Sequence, residues 1–120
     1  MHVLFIHQAF PAQFGRLGLE LTRRYGWRCS FLIQSLSNCP TPSPEMLQRL
    51  EVHRIPDADR LQAQRLTPWA QSYGRYLDLC QAVFEAVRAC PELRPDLVVS
   101  HEGLGPALLL PEVLACPIVN

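Results

Sequence analysis

Four consecutive apolar residues at 3–6 (VLFI) constrain this chain more than anything else in it. A strand with one wet face alternates apolar and polar residues. An unbroken apolar run implies cover on both faces, as in a parallel sheet between layers of helices. A short turn follows, with Pro11 at the expected first helical position. Phe14, Leu17, Gly18, Leu21 and Tyr25 then recur at helical spacing, and Gly26 is placed to end the helix. Gly18 on that stripe lets the helix approach the sheet closely.

The same grammar continues. Residues 27–33 (WRCSFLI) read as a second strand, and 50–55 (LEVHRI) as a third, nearer an edge, stopped by Pro56. Between them, 34–48 carries three prolines and no period, and reads as a long loop. A long helix is predicted over 69–90. Its stripe is Trp69, Tyr73, Tyr76, Leu77, Cys80, Val83, Phe84 and Val87, with Thr67 as cap and Pro68 at the first position. A fourth strand is predicted at 96–100, a helical stretch at 106–114, and the start of a fifth strand at 117–120. Strands alternating with helices predict an open α/β sheet with right-handed crossovers and order 3-2-1-4-5. The chain stops where such a sheet is expected to continue, so the reading is of the front half of a domain.

Composition narrows the function. At 120 residues the chain is one domain at most, and 48% apolar residues suffice for a core. The 11 basic residues, all Arg, balance 11 acidic ones, which excludes the basic footprint of a nucleic-acid binder. Without Lys there is no ammonium nucleophile. Five cysteines in no Cys-x-x-Cys pair read as free thiols. No basic leader with a cleavage site opens the chain, and no apolar run is long enough to span a bilayer, so a cytoplasmic location is expected.

Several chemistries lack their motif. There is no G-x-G-x-x-G, no phosphate loop, no acidic pair after the first strand and no G-x-S-x-G elbow. His2, His7, His53 and His101 have no metal-site spacing. Asp57 and Asp59, beside Arg60, read as a solvated loop. What remains sits at strand ends: His7 and Gln8 after the first strand, His101 and Glu102 after the fourth. These strands are neighbours in a doubly wound sheet, so both pairs converge on the crevice where such folds bind ligands. Imidazole and carboxamide groups there hydrogen-bond sugar hydroxyls or phosphate oxygens without fixed charge. Each of these residues has a competing structural role as a turn cap or core-edge group.

Two blocks of sequence carry a family resemblance. The opening LFIHQAFPAQFGRLGLEL resembles the amino-terminal domain of retaining family 4 glycosyltransferases with the two-domain B-type fold. One branch begins with a strand, His-Gln, commonly Asn, then Phe-Pro, a small residue and Gln-Phe; here these are His7, Gln8, Ala9, Phe10, Pro11, Ala12, Gln13 and Phe14. The closing RPDLVVSHEGLGPALLLPEVL is similar to that branch's second block, with His101, Gly103 and Gly105 matching. Glu102 replaces a Pro there, and Leu104 a Trp that would offer a stacking surface.

The resemblance implies a Rossmann-like open parallel sheet with helices on both faces, as the incomplete acceptor-side half (residues 1–120) of a two-domain enzyme. The donor-binding domain is absent from it. It implies sugar transfer from a nucleoside-diphosphate sugar to an acceptor with retention, and no metal or further cofactor. His101 would contact the transferred sugar or acceptor. His7, Gln8, Gly103 and the start of the first helix at Gln13 and Phe14 would line the donor side. On this reading the 120 residues alone are inactive and pair through their open sheet edge as a homodimer. Two other classes stay open: a stand-alone α/β binding or scaffold domain, and half of a sugar-nucleotide epimerase.

Overall fold

A computed structural model describes residues 1–36, 40–55, 68–101 and 107–120, with side chains described throughout except at 68–72 and 75. Five parallel strands form one sheet: β1 (His2–Phe10), β2 (Arg28–Leu36), β3 (Glu51–Arg54), β4 (Leu97–Ser100) and β5 (Ile118–Val119). Their order is β3-β2-β1-β4-β5, as the alternation of elements predicts. Helices α1 (Phe14–Tyr25) and α2 (Pro44–Arg49) cover one face. Helix α3 (Pro68–Arg88) and a 3-10 turn at Leu110–Glu112 cover the other. The fold is a Rossmann-like open α/β sheet.

The apolar run in β1 is buried on both sides. Val3, Leu4, Phe5 and Ile6 are each at most 1% exposed. Successive strand residues point to opposite faces. Val3 and Phe5 therefore join Cys29, Phe31, Ile33 and Leu19 under α1. Leu4 and Ile6 join Leu32, Val98, Leu79, Val83 and Val87 under α3. One short segment thus nucleates two cores.

Several boundaries differ from the sequence reading. The first strand continues past Ile6, with Ala9 opposite Ser35 and Phe10 opposite Leu36, so His7 and Gln8 lie within β1 rather than after it. Pairing along β2 overrides the polarity of these residues. Pro11 follows the strand in a bend, and α1 starts only at Phe14. The 34–48 loop is shorter than expected. Gln34, Ser35 and Leu36 extend β2, and α2 forms behind Ser43, whose hydroxyl accepts the Met46 N–H at 3.2 Å, with Pro44 at the first helical position. Among the described residues of 106–114 there is only a 3-10 turn, because Pro111 has no N–H for an α-helical bond. Thr67, Asp57, Asp59, Glu102 and Gly103 lie outside the described residues.

Each predicted helix stripe holds in part: Phe14, Gly18 and Leu21 of α1 and Cys80, Val83 and Val87 of α3 face the core, and other members do not. In α1 the buried residues are Gly15, Gly18 and Leu19, whereas Leu17 and Tyr25 are 46% and 65% exposed. In α3 Leu79 is buried with Cys80, Val83 and Val87, while Tyr73 and Leu77 face solvent. The reason is close approach. In α1 a Cβ on Gly18 would stand 2.8 Å from Phe31 Cζ, so the helix lies close on its small residues with Leu19 buried beside them, and Leu17 and Tyr25 fall outside that contact. Gly26, at φ +65°, ends α1 as expected, its N–H reaching the Thr22 carbonyl at 3.0 Å.

Phe31 is itself fully buried and held between Phe5 and Phe10, with ring centroids 4.8 Å away on each side, so it cannot yield. Gly18→Ala gains helix propensity but overpacks this contact. We expect a net loss of about 1–3 kcal/mol in unfolding free energy. Urea unfolding of the two proteins measures it, and equal or higher stability in Gly18→Ala would contradict the packing described.

Candidate functional site

Parallel register brings two histidines together at the carboxyl edge of the sheet. Phe5 pairs with Val99 and Ile6 with Ser100, which places His101 beside His7 on the α1 side. The His101 N–H closes this edge on the Ile6 carbonyl at 3.1 Å. The two imidazoles lie with ring centroids 4.8 Å apart and planes tilted by 39°.

Phe14, the first residue of α1, stands edge-on to both imidazoles, at 5.9 Å from His7 and 6.4 Å from His101. It stacks on Phe5 at 5.4 Å. The ring is half-buried, packed against the core with its edge toward the imidazoles. Helix α1 is brought here by Gly15, where a Cβ would come within 2.3 Å of the Pro11 ring; the Gly15 N–H also bonds the Pro11 carbonyl at 2.7 Å. Gln13 caps the helix from an exposed position and makes no side-chain capping bond.

His7 is oriented locally. Its Nδ1 lies 3.0 Å from both the N and the O of Ala9. An unprotonated Nδ1 accepts the Ala9 N–H, which leaves the ring proton on Nε2; a protonated Nδ1 donates to the Ala9 carbonyl instead.

Beside this pair is a shallow crevice lined by Ile6, His7, Gln8, Gln34, Ile55, Leu79 and His101. Its enclosed space is about 10 Å³, which is about one water. Of the residues singled out in the sequence, the structure gathers His7, Gln8 and His101 on this crevice. Phe14 touches both imidazoles, while Gln13 stands at the head of the helix. Gln34 also lines the crevice, although the aperiodic, proline-rich stretch it opens predicts a loop. Its only signal was that WRCSFLI runs on into a residue beside Gln8 on the neighbouring strand. Ile55 and Leu79 supply an apolar floor.

The chemistry available is hydrogen bonding by imidazole and carboxamide groups over apolar walls, with no carboxylate among the described lining residues. Among the described residues no three His, Cys, Asp or Glu side chains converge on a metal position. Cys29, Cys80, Cys90 and Cys116 are free thiols. Burial pushes Cys29, Cys80 and Cys116 up, and a hydrogen bond with Glu92 does so for Cys90; all four are thus poor nucleophiles at neutral pH. No described helix is long and apolar enough to cross a membrane.

No protein-family model matches the chain, and no curated protein matches it significantly. The class defined by the fold is that of Rossmann-like α/β domains, with a crevice at the carboxyl edge where such sheets bind ligands.

Phe14→Ala removes the ring that both imidazoles touch. Because Phe14 is only half-buried, the stability loss should fall below the roughly 3–5 kcal/mol of a fully buried Phe. The ring protons of both His7 and His101 should shift in NMR spectra as the neighbouring ring current disappears. Unchanged histidine resonances in a folded variant would contradict this cluster.

Proposed function

We propose that this chain is the acceptor-side half of a retaining glycosyltransferase, and that His7, Gln8 and His101 hold hydroxyl groups of the reacting sugars. The observation that carries the reading is the contact of two imidazoles from adjacent strands at the carboxyl edge of the sheet. The HQAFPAQF block supports it, because each part has a structural use here. His7 and Gln8 line the crevice, Pro11 receives Gly15, and Phe14 backs both histidines.

Glycosyl transfer places positive charge on the sugar ring and negative charge on the leaving diphosphate. A fixed cation beside the ring would oppose the first of these. Imidazole and carboxamide groups orient hydroxyls without a fixed charge. His101 is the group best placed to contact the sugar near the reacting carbon. The first turn of α1, at Gln13 and Phe14, offers main-chain N–H groups to phosphate oxygens. A one-water crevice on an open edge cannot exclude water, the competing acceptor, so a second domain must close over it. The 120 residues alone should therefore transfer no sugar.

The test is kinetics on the full reading frame. His101→Ala should lower turnover a hundredfold or more, about 2.7–4 kcal/mol for a lost transition-state donor, with thermal melting unchanged. Full turnover in a folded His101→Ala enzyme would contradict the assignment.

A further inference from the structure

The edge of the sheet opposite the crevice holds a buried polar chain with no part in the proposed transfer. His2 is 7% exposed and Ser30 is fully buried. His2 Nε2 lies 2.8 Å from Ser30 Oγ, and the Ser30 hydroxyl donates to Glu51 Oε2 at 2.6 Å. Arg28 grips the same carboxylate with two hydrogen bonds, of 2.7 and 2.9 Å, and reaches the Glu92 carbonyl at 3.1 Å. The His2 main chain is doubly tied to Asp96: its N–H donates to the carboxylate at 2.7 Å, and its carbonyl accepts the Asp96 N–H at 2.7 Å. His2 Nδ1 faces the Arg94 carbonyl at 3.3 Å. One residue thus joins the starts of β1, β2 and β3 to the segment leading into β4.

We propose that His2 is an acid-release latch: held as the neutral Nε2–H tautomer, it clasps the starting ends of the strands together, and a second proton on its ring loosens them. The tautomer follows from proton counting. A carboxylate only accepts, so the single Ser30 hydroxyl proton must point at Glu51. The Ser30 oxygen then accepts from His2, and the proton on the imidazole is at Nε2.

A second proton would enter at Nδ1. The Arg94 carbonyl would accept it, and the carboxylates of Glu51 and Asp96 attract the resulting cation. Against it stand burial and the Arg28 guanidinium, while His53 on β3 sits 3.9 Å from the shared Glu51 carboxylate. The balance lowers the His2 pKa below the ordinary value of 6.5, burial first and Arg28 next. The unfolded chain therefore binds this proton at higher pH than the folded one. Stability from the latch is complete above about pH 6.5 and is lost as pH falls through the folded pKa. Glu51 acts lower. Its hydrogen bonds to Arg28, ahead of the one from Ser30, hold it down at about 2, so its share is lost between the ordinary 4.5 and that value. The His2 step sets in first as pH falls, below 6.5, and the Glu51 step below 4.5.

The experiment is a pH titration of the 15N-labelled chain by long-range proton–nitrogen NMR, with thermal melting alongside. His2 should show a protonated Nε2 and a bare Nδ1 at neutral pH and a midpoint below about 6.5. The melting temperature should fall through the same midpoint, and the Asp96 amide should exchange faster there. His2→Gln can still donate to Ser30 but does not titrate, so it should lose the acid slope that sets in below about pH 6.5 and keep the slope that Glu51 adds below about pH 4.5. A proton on Nδ1 at neutral pH, a midpoint at or above the ordinary value, or the same upper slope in His2→Gln would overturn the proposal. If His2→Gln does not fold, the tautomer and midpoint of the unaltered chain decide.

Discussion

Everything in this molecule depends on burying β1 from both sides. Val3 and Phe5 face the α1 layer and Leu4 and Ile6 the α3 layer, with the neighbouring run 29–33 of β2 buried alongside them. Burying one large apolar side chain is worth about 1.5–3 kcal/mol, so these adjacent residues account for a large part of what holds the layers together. β1 also pairs on both edges, with β2 and β4, and its two ends carry the polar groups that matter. His2 ties the starting edge of the sheet, and His7 meets His101 at the finishing edge. A slip of β1 by one residue would exchange the faces of every side chain and separate both pairs.

The packing of α1 links this frame to the crevice. Small residues at 15 and 18 let the helix lie close over Pro11 and Phe31, and that closeness sets where Phe14 falls. Phe14 is at once a core ring against Phe5 and the backing of both imidazoles. The position of the two histidines is thus set by apolar packing and parallel register. The exposed ion pairs among Arg23, Arg24, Glu20, Glu45 and Arg49 decorate the α1–α2 surface. Pairs of that kind contribute little on their own, about 0–1 kcal/mol each.

Much of this was readable in the sequence. The VLFI run implied a strand covered on both faces, and the alternation of elements implied the strand order. Other features were hidden for physical reasons. His7 and Gln8 look like a turn because they are polar, but backbone pairing with β2 continues through them. In α1 the positions of Phe14, Gly18 and Leu21 follow the predicted stripe, but Leu17 and Tyr25 carry a hydrophobic signal and yet face solvent, while Gly15, which packs on Pro11, carries none. Helix α2 was masked by the neighbouring prolines, although Ser43-Pro44-Glu45 is a proper helix start. His2 gave no sign of its role, since its partners Ser30, Glu51, Arg94 and Asp96 are distant in sequence. Gln34 reached the crevice only because β2 outlasts its apolar core.

Residue-resolved amide hydrogen exchange tests most directly whether β1 carries the structure. The amides of Leu4, Phe5 and Ile6 should exchange only through global unfolding, with protection equal to the full stability of the chain. Those of Val52 and His53 on the edge strand β3 should exchange through smaller openings. Exchange at β1 as fast as at β3, well below the global unfolding free energy, would contradict the account.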